Sequence, residues 1–108
     1  MVWSMRNGVI AIRPDDTVTV VNDIAYRILG LTPETADVGR PFSEVLRDAP
    51  EIAQVLASAF DLSHLPNRAE LRLQASSRVI GYTLSCVVDR SGKLSGAALF
   101  FKDLTRLE

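Results

Sequence analysis

A chain of 108 residues, 47% hydrophobic and 23% charged, has the size and composition of one soluble domain with a single core, which excludes two domains and a disordered chain. Twelve basic residues oppose thirteen acidic ones, and the arginines scatter from Arg6 to Arg106 without forming a run, which argues against a nucleic-acid or anionic-membrane surface. The lone cysteine, Cys86, excludes an internal disulfide and a four-thiol zinc site and fits a reducing, cytoplasmic setting. No apolar stretch approaches the roughly 20 residues that span a bilayer, and MVWSMRNG has no signal-peptide core.

The first elements form a hairpin. GVIAIR (8–13) and TVTVVN (17–22) are β-branched runs separated by Pro14-Asp15-Asp16, a turn in which proline fixes φ and the acids tolerate tight geometry. Asn22 or Asp23 then caps a helix through DIAYRILG, with Ile24, Ile28 and Leu31 near one face and Gly30 as its stop. Thr32-Pro33 reads as a cap followed by proline at the first helical position, and Gly39-Arg40-Pro41 punctuates before a short turn, FSEVLR. From Pro50 onward, Ile52, Val55, Leu56, Ala59 and Phe60 follow helical spacing and predict a core-facing stripe.

Antiparallel sheet follows. AELRLQA (69–75) alternates, with Leu71 and Leu73 on one face and Glu70, Arg72 and Gln74 on the other, as an edge strand with one wet side would. VIGYTLSCVVD (79–89) puts Ile80, Tyr82, Leu84, Cys86 and Val88 on one face, and Arg90-Ser91-Gly92 turns the chain into LSGAALFF. The fold class is α+β with a five-stranded, mainly antiparallel sheet. In the last strand one face carries Leu94, Ala98 and Phe100 and the other Ala97, Leu99 and Phe101, so whichever set meets the helices, a large aromatic is left on the opposite face to be covered. Val2, Trp3 and Met5 could supply that cover. At the end of the chain, Thr105 to Glu108 has the spacing of a capping box, so a helix is expected to begin there and to be truncated.

Catalytic chemistry finds little support. His64 is the sole histidine, between a helix and a strand, and no serine lies in a glycine-rich elbow; zinc ligands and glycine-rich phosphate loops are missing as well. Tyr26, Phe42, Leu56, Phe60 and Tyr82 are the bulky residues that could line a pocket between helices and sheet, although such residues more often fill a core.

The string NGVIAI, DDTVTVVNDIAYRILGLTPE, VGRPFSEVL and, after a helix, GYTLSCVVDRSGKLSGAALFFKDLTRLE resembles a PAS domain over nearly the whole length. The landmarks are Gly8 to Ala11, the Asn22 to Gly30 helix, the Val38-Gly39-Arg40 turn and Asp103-Leu104-Thr105. The resemblance implies a sheet in the order 2-1-5-4-3 with short helices on one face, an N-terminal cap over residues 1–7, the PAS domain over 8–103 and the start of a signalling helix over 104–108. It implies that Asp103 and Thr105 form the junction to that helix and that the outer sheet face and cap mediate a homodimer, for which Trp3, Leu99 and Phe101 are the candidates, the choice of face being open. The implied role is sensory or dimerising, upstream of an effector in the same bacterial signalling chain: a sensor histidine kinase first, a sigma-54-dependent transcription activator or a ligand-free dimerisation module as alternatives. Some relatives bind haem through a histidine near the position of His64, but here it lies in a loop. Light-oxygen-voltage relatives use a helical Asn-Cys-Arg-Phe motif that is missing here, while Cys86 sits on a predicted strand, so neither haem nor flavin is expected. The resemblance leaves room for a small-molecule ligand; contact of this domain with nucleic acid or membrane is not expected.

Overall fold

The computed structural model describes residues 7–33, 37–61 and 65–105. Strands β1 (Gly8–Ile12) and β2 (Val18–Val21) form the opening hairpin. At its turn the Asp15 carboxylate accepts from the Thr17 amide at 3.0 Å and hydroxyl at 2.6 Å, so the acid supplies the hydrogen bonds that a tight turn leaves unmade. Asn22 then serves two elements. Its Oδ1 accepts from the Ala25 amide at 2.9 Å, capping helix α1 (Asp23–Leu29), and from the Val9 amide at 3.0 Å, fastening that cap to the sheet. Gly30, in the left-handed region at φ 71°, closes the helix as its position after Leu29 predicts.

Helices α2 (Phe42–Val45) and α3 (Pro50–Ala57) follow. The expected helix from Pro33 runs into residues 34–36, outside the described residues; Thr32 and Pro33 belong to no regular element. The apolar stripe from Pro50 outlasts its helix: α3 stops at Ala57, where the Ser58 hydroxyl donates to the Val55 carbonyl, yet Ala59 beyond it is fully buried.

Strands β3 (Ala69–Arg72), β4 (Val79–Val88) and β5 (Leu94–Asp103) complete an antiparallel sheet of order β2-β1-β5-β4-β3. The order agrees with expectation, and β3 is an edge strand. Ile10, Leu99 and Leu84 lie in one row across β1, β5 and β4, and all three belong to the core beside Ile52 and Leu56 of α3. Because side chains alternate, this places Ala97, Leu99 and Phe101 beneath the helices and Ala98 and Phe100 on the outer face. Of the two face sets left open for dimerisation, that of Leu99 and Phe101 is the one beneath the helices, 0% and 1% exposed, whereas Phe100 on the outer face is 41% exposed. A Cβ on Gly8 would stand 2.6 Å from the Phe101 ring and 3.0 Å from Ala25 Cα of α1, so two small residues make the space this aromatic fills. Val88 departs from its assigned face for another reason. The register shifts between Val87 and Val88, and Val88 is exposed rather than aligned with Leu84.

Candidate functional site

The junction after β5 is assembled from two segments of chain, the start of β4 and the end of β5. Along the antiparallel register Tyr82 faces Phe101 and Ile80 faces Asp103. One step further out, the Leu104 amide donates to the Val79 carbonyl at 2.7 Å, and the Val79 amide donates to Thr105 Oγ1 at 2.9 Å. Thr105 thus replaces a backbone carbonyl with its hydroxyl at the point where the ladder ends. Its own amide donates to Asp103 Oδ1 at 2.8 Å, an Asx-type turn that redirects the chain. Asp103 Oδ2 lies 3.5 Å from Arg78 Nη1. Partial burial alone would raise the Asp103 carboxyl, but the Thr105 hydroxyl and amide and the Arg78 guanidinium outweigh it and hold the pKa below the ordinary carboxylate value.

Leu104, between the two polar residues, lies over Gly81: a Cβ there would meet Leu104 Cδ1 at 2.7 Å. Glycine at 81 therefore lets the junction settle against the outer face of the sheet. Leu104, Gly81, Thr83, Phe100, Lys102 and Glu70 border a concavity of about 510 Å³ on that face. The junction and the exposed aromatic are parts of one surface.

The other expected residues are dispersed. Tyr26 is buried, and its hydroxyl donates to Asp37 Oδ2 at 2.7 Å; Asp37, 4% exposed, also pairs with Arg40 at 3.4 Å. Tyr26 borders a polar concavity of about 370 Å³ with Gly30, Asp37 and Arg40. Phe42 borders a different one with Leu46, Pro50 and Ala53, and Tyr82 lies at the outer-face concavity. Leu56 is buried in the core and Phe60 packs at its margin. Phe42, Leu56, Phe60 and Tyr82 thus belong to or pack against one core cluster, while Tyr26, Phe42 and Tyr82 border three different concavities. Cys86 is half-buried on β4 and donates to the Ala59 carbonyl at 3.1 Å. Among the described residues there is no cluster of three or more metal-ligating side chains. Trp3 and His64 lie outside the described residues, and the helix start expected over 104–108 runs into residues 106–108, also outside them; Leu104 and Thr105 belong to no regular element.

Sequence reasoning missed Arg78, Val79 and Gly81 as parts of the junction. A signal for them exists: counting outward along both strands from the hairpin at residues 90–92, corrected for the bulge, sets Val79 against Leu104.

Comparison with known proteins agrees with the geometry. The PAS domain of the histidine kinase ThkA superposes with a TM-score of 0.71 at 23% identity, over 92% of this chain and 100% of that one. A sensory box sensor histidine kinase from Vibrio cholerae gives 0.64 at 13% identity, over 96% of this chain and 83% of that one. The E. coli DhaR(N)–DhaL complex gives 0.65 at 24% identity, over 91% of this chain and 31% of that one. No curated protein matches the chain significantly. The model of the PAS fold matches residues 1–104, and with the strand order above this establishes that the chain belongs to the PAS family.

Proposed function

We propose that this PAS domain is a sensory and dimerisation module that regulates a downstream effector in bacterial signal transduction, the effector being the kinase of a two-component sensor histidine kinase. The domain itself regulates and does not catalyse. The observation that carries this is the junction: Asp103, Leu104 and Thr105 are each bonded to the sheet or to one another at the point where the chain leaves β5, so sheet geometry sets the direction of whatever follows. The likeness to the ThkA and Vibrio cholerae domains supports a kinase as effector. Dimerisation is proposed through the outer sheet face, with Phe100 in place of Leu99 and Phe101 and with Trp3 as cap. A cytoplasmic location fits the lone thiol, and among the described residues no helix is long and apolar enough to cross a membrane.

A ligand-free dimerisation module is the second reading, favoured by an interior in which Ile10, Leu46, Ile52, Ile80 and Leu99 are all fully buried in one cluster. In either case no resident haem or flavin is proposed, and the purified protein should lack their absorption bands. Thr105→Val tests the relay, because it keeps the shape and removes the acceptor that Val79 uses. Output of the full-length kinase should change while the domain stays folded; unchanged autophosphorylation with the Val79 amide unprotected would count against the proposal. Phe100→Asp should shift the sedimentation equilibrium toward monomer, and a dimer of undiminished strength would move the interface elsewhere.

A further inference from the structure

Arg78 makes contacts that the relay just described does not require. It closes the hairpin between β3 and β4, where the Leu73 amide donates to the Arg78 carbonyl at 2.9 Å and the Ser77 amide to the Leu73 carbonyl at 2.8 Å. Its backbone is thereby fixed next to Val79, which is bonded to Leu104 and Thr105. Its side chain reaches toward the helix layer. Nη1 lies 3.2 Å from the Ile28 carbonyl, 3.5 Å from the Arg27 carbonyl and 3.5 Å from Asp103 Oδ2.

The guanidinium therefore stands between two groups of like sign, the carbonyl end of α1 and the carboxylate at the end of β5. One nitrogen serves three acceptors and none of the contacts is short, so a small displacement of the last turn of α1 changes how much of the donor Asp103 receives. The same end of α1, through Tyr26 and Gly30, borders the polar concavity that Asp37 and Arg40 share. The concavity and the acceptors of Arg78 thus share one turn of helix.

We propose that Arg78 is a positioning residue that couples α1 to the Asp103–Leu104–Thr105 junction, passing displacement of the helix's C-terminal turn to Asp103 and from there to Thr105. The functional meaning of this coupling rests on the relay under Proposed function; the coupling itself is a property of this chain. Arginine suits the position because its long, permanently charged group can contact a carboxylate and a helix terminus at once, whereas lysine offers a shorter reach and a more strongly hydrated point charge.

Amide hydrogen exchange by NMR on the chain tests it. Gly30→Ala strains the left-handed cap and loosens the end of α1 without touching the junction. In the wild-type background it should speed exchange of the Leu104 and Thr105 amides about fivefold or more relative to Lys93 at the distant hairpin. Arg78→Met alone should do the same, and the double variant should add nothing, while Arg78→Lys is intermediate. Should Arg78→Met fail to fold, Arg78→Lys with and without Gly30→Ala carries the same comparison. An effect of Gly30→Ala that is absent, or equally large without Arg78, overturns the coupling. In the full-length protein, altered output from Asp103→Ala with normal output from Arg78→Met also overturns it while the relay stands. Normal output from Asp103→Ala overturns the relay, and the exchange data still decide the coupling.

Discussion

Phe100 and Phe101 are neighbours on β5 with the same side chain and opposite surroundings, so replacing each with alanine measures the two faces of the sheet separately. Phe101 is 1% exposed and Phe100 41%. Truncating a buried phenylalanine costs about 3–5 kcal/mol, from the lost transfer of the ring and the cavity left behind. That cavity would be bordered by Gly8, which has no side chain, and Ala25, whose single methyl cannot swing into it. The upper part of the range, roughly 4–5 kcal/mol, is therefore expected for Phe101→Ala. Phe100→Ala encloses no cavity and should cost less than about 1 kcal/mol. At about 4–8 °C per kcal/mol for a domain of this size, thermal unfolding followed by circular dichroism should fall by at least about 16 °C for Phe101→Ala and by less than about 8 °C for Phe100→Ala. Equal losses, or a larger loss at Phe100, would refute the assignment of the faces.

Tyr26→Phe removes the donor that Asp37 Oδ2 accepts from inside the protein and leaves that carboxylate with Arg40 at 3.4 Å. Urea unfolding should report a loss of about 1–3 kcal/mol, and a negligible change would mean that the hydroxyl bond contributes nothing to folding. Acid should destabilise the domain in a defined direction. The Thr17 hydroxyl lowers the Asp15 pKa, the Ser91 hydroxyl lowers that of Asp89, and for Asp103 the raising effect of burial is overcome by Thr105 and Arg78. Depressed folded-state values mean that folding favours the ionised forms, so their stabilisation is complete above the unfolded values and lost as pH falls through the folded ones. Urea midpoints should drop below about pH 4, less steeply in Asp103→Asn, and a midpoint that rises on acidification would contradict the hydrogen-bonded turns.

Local chemistry was legible in the sequence wherever it acts over a few residues. Asn22 and Gly30 mark the ends of α1 because a capping carboxamide and a left-handed stop are properties of single positions. Leu71 with Leu73, and Ile80 with Leu84, disclose their strands by alternation. What depends on distant partners was not legible. Phe100 and Phe101 are interchangeable on paper, and the space that takes Phe101 inward lies beside Gly8 on β1 and Ala25 on α1, both far away in sequence. The bulge at Val87 and Val88 breaks the alternation without a glycine or proline to announce it. Ser58 bonds back to Val55 and ends α3 inside an unbroken apolar stripe. Arg78 resembles any surface arginine until β4 and β5 are in register and the end of α1 is set beside them.

The proposed role of the junction, directing output while contributing little to folding, is tested by Asp103→Ala in the full-length protein, with autophosphorylation and unfolding of the domain measured on the same sample. Loss of one partly exposed cap and ion pair should lower the unfolding temperature by about 4–8 °C, corresponding to about 1 kcal/mol. Autophosphorylation should no longer follow the state of the domain. Regulated output from a stably folded Asp103→Ala protein would contradict the claim, as would a loss of output that only accompanies general unfolding.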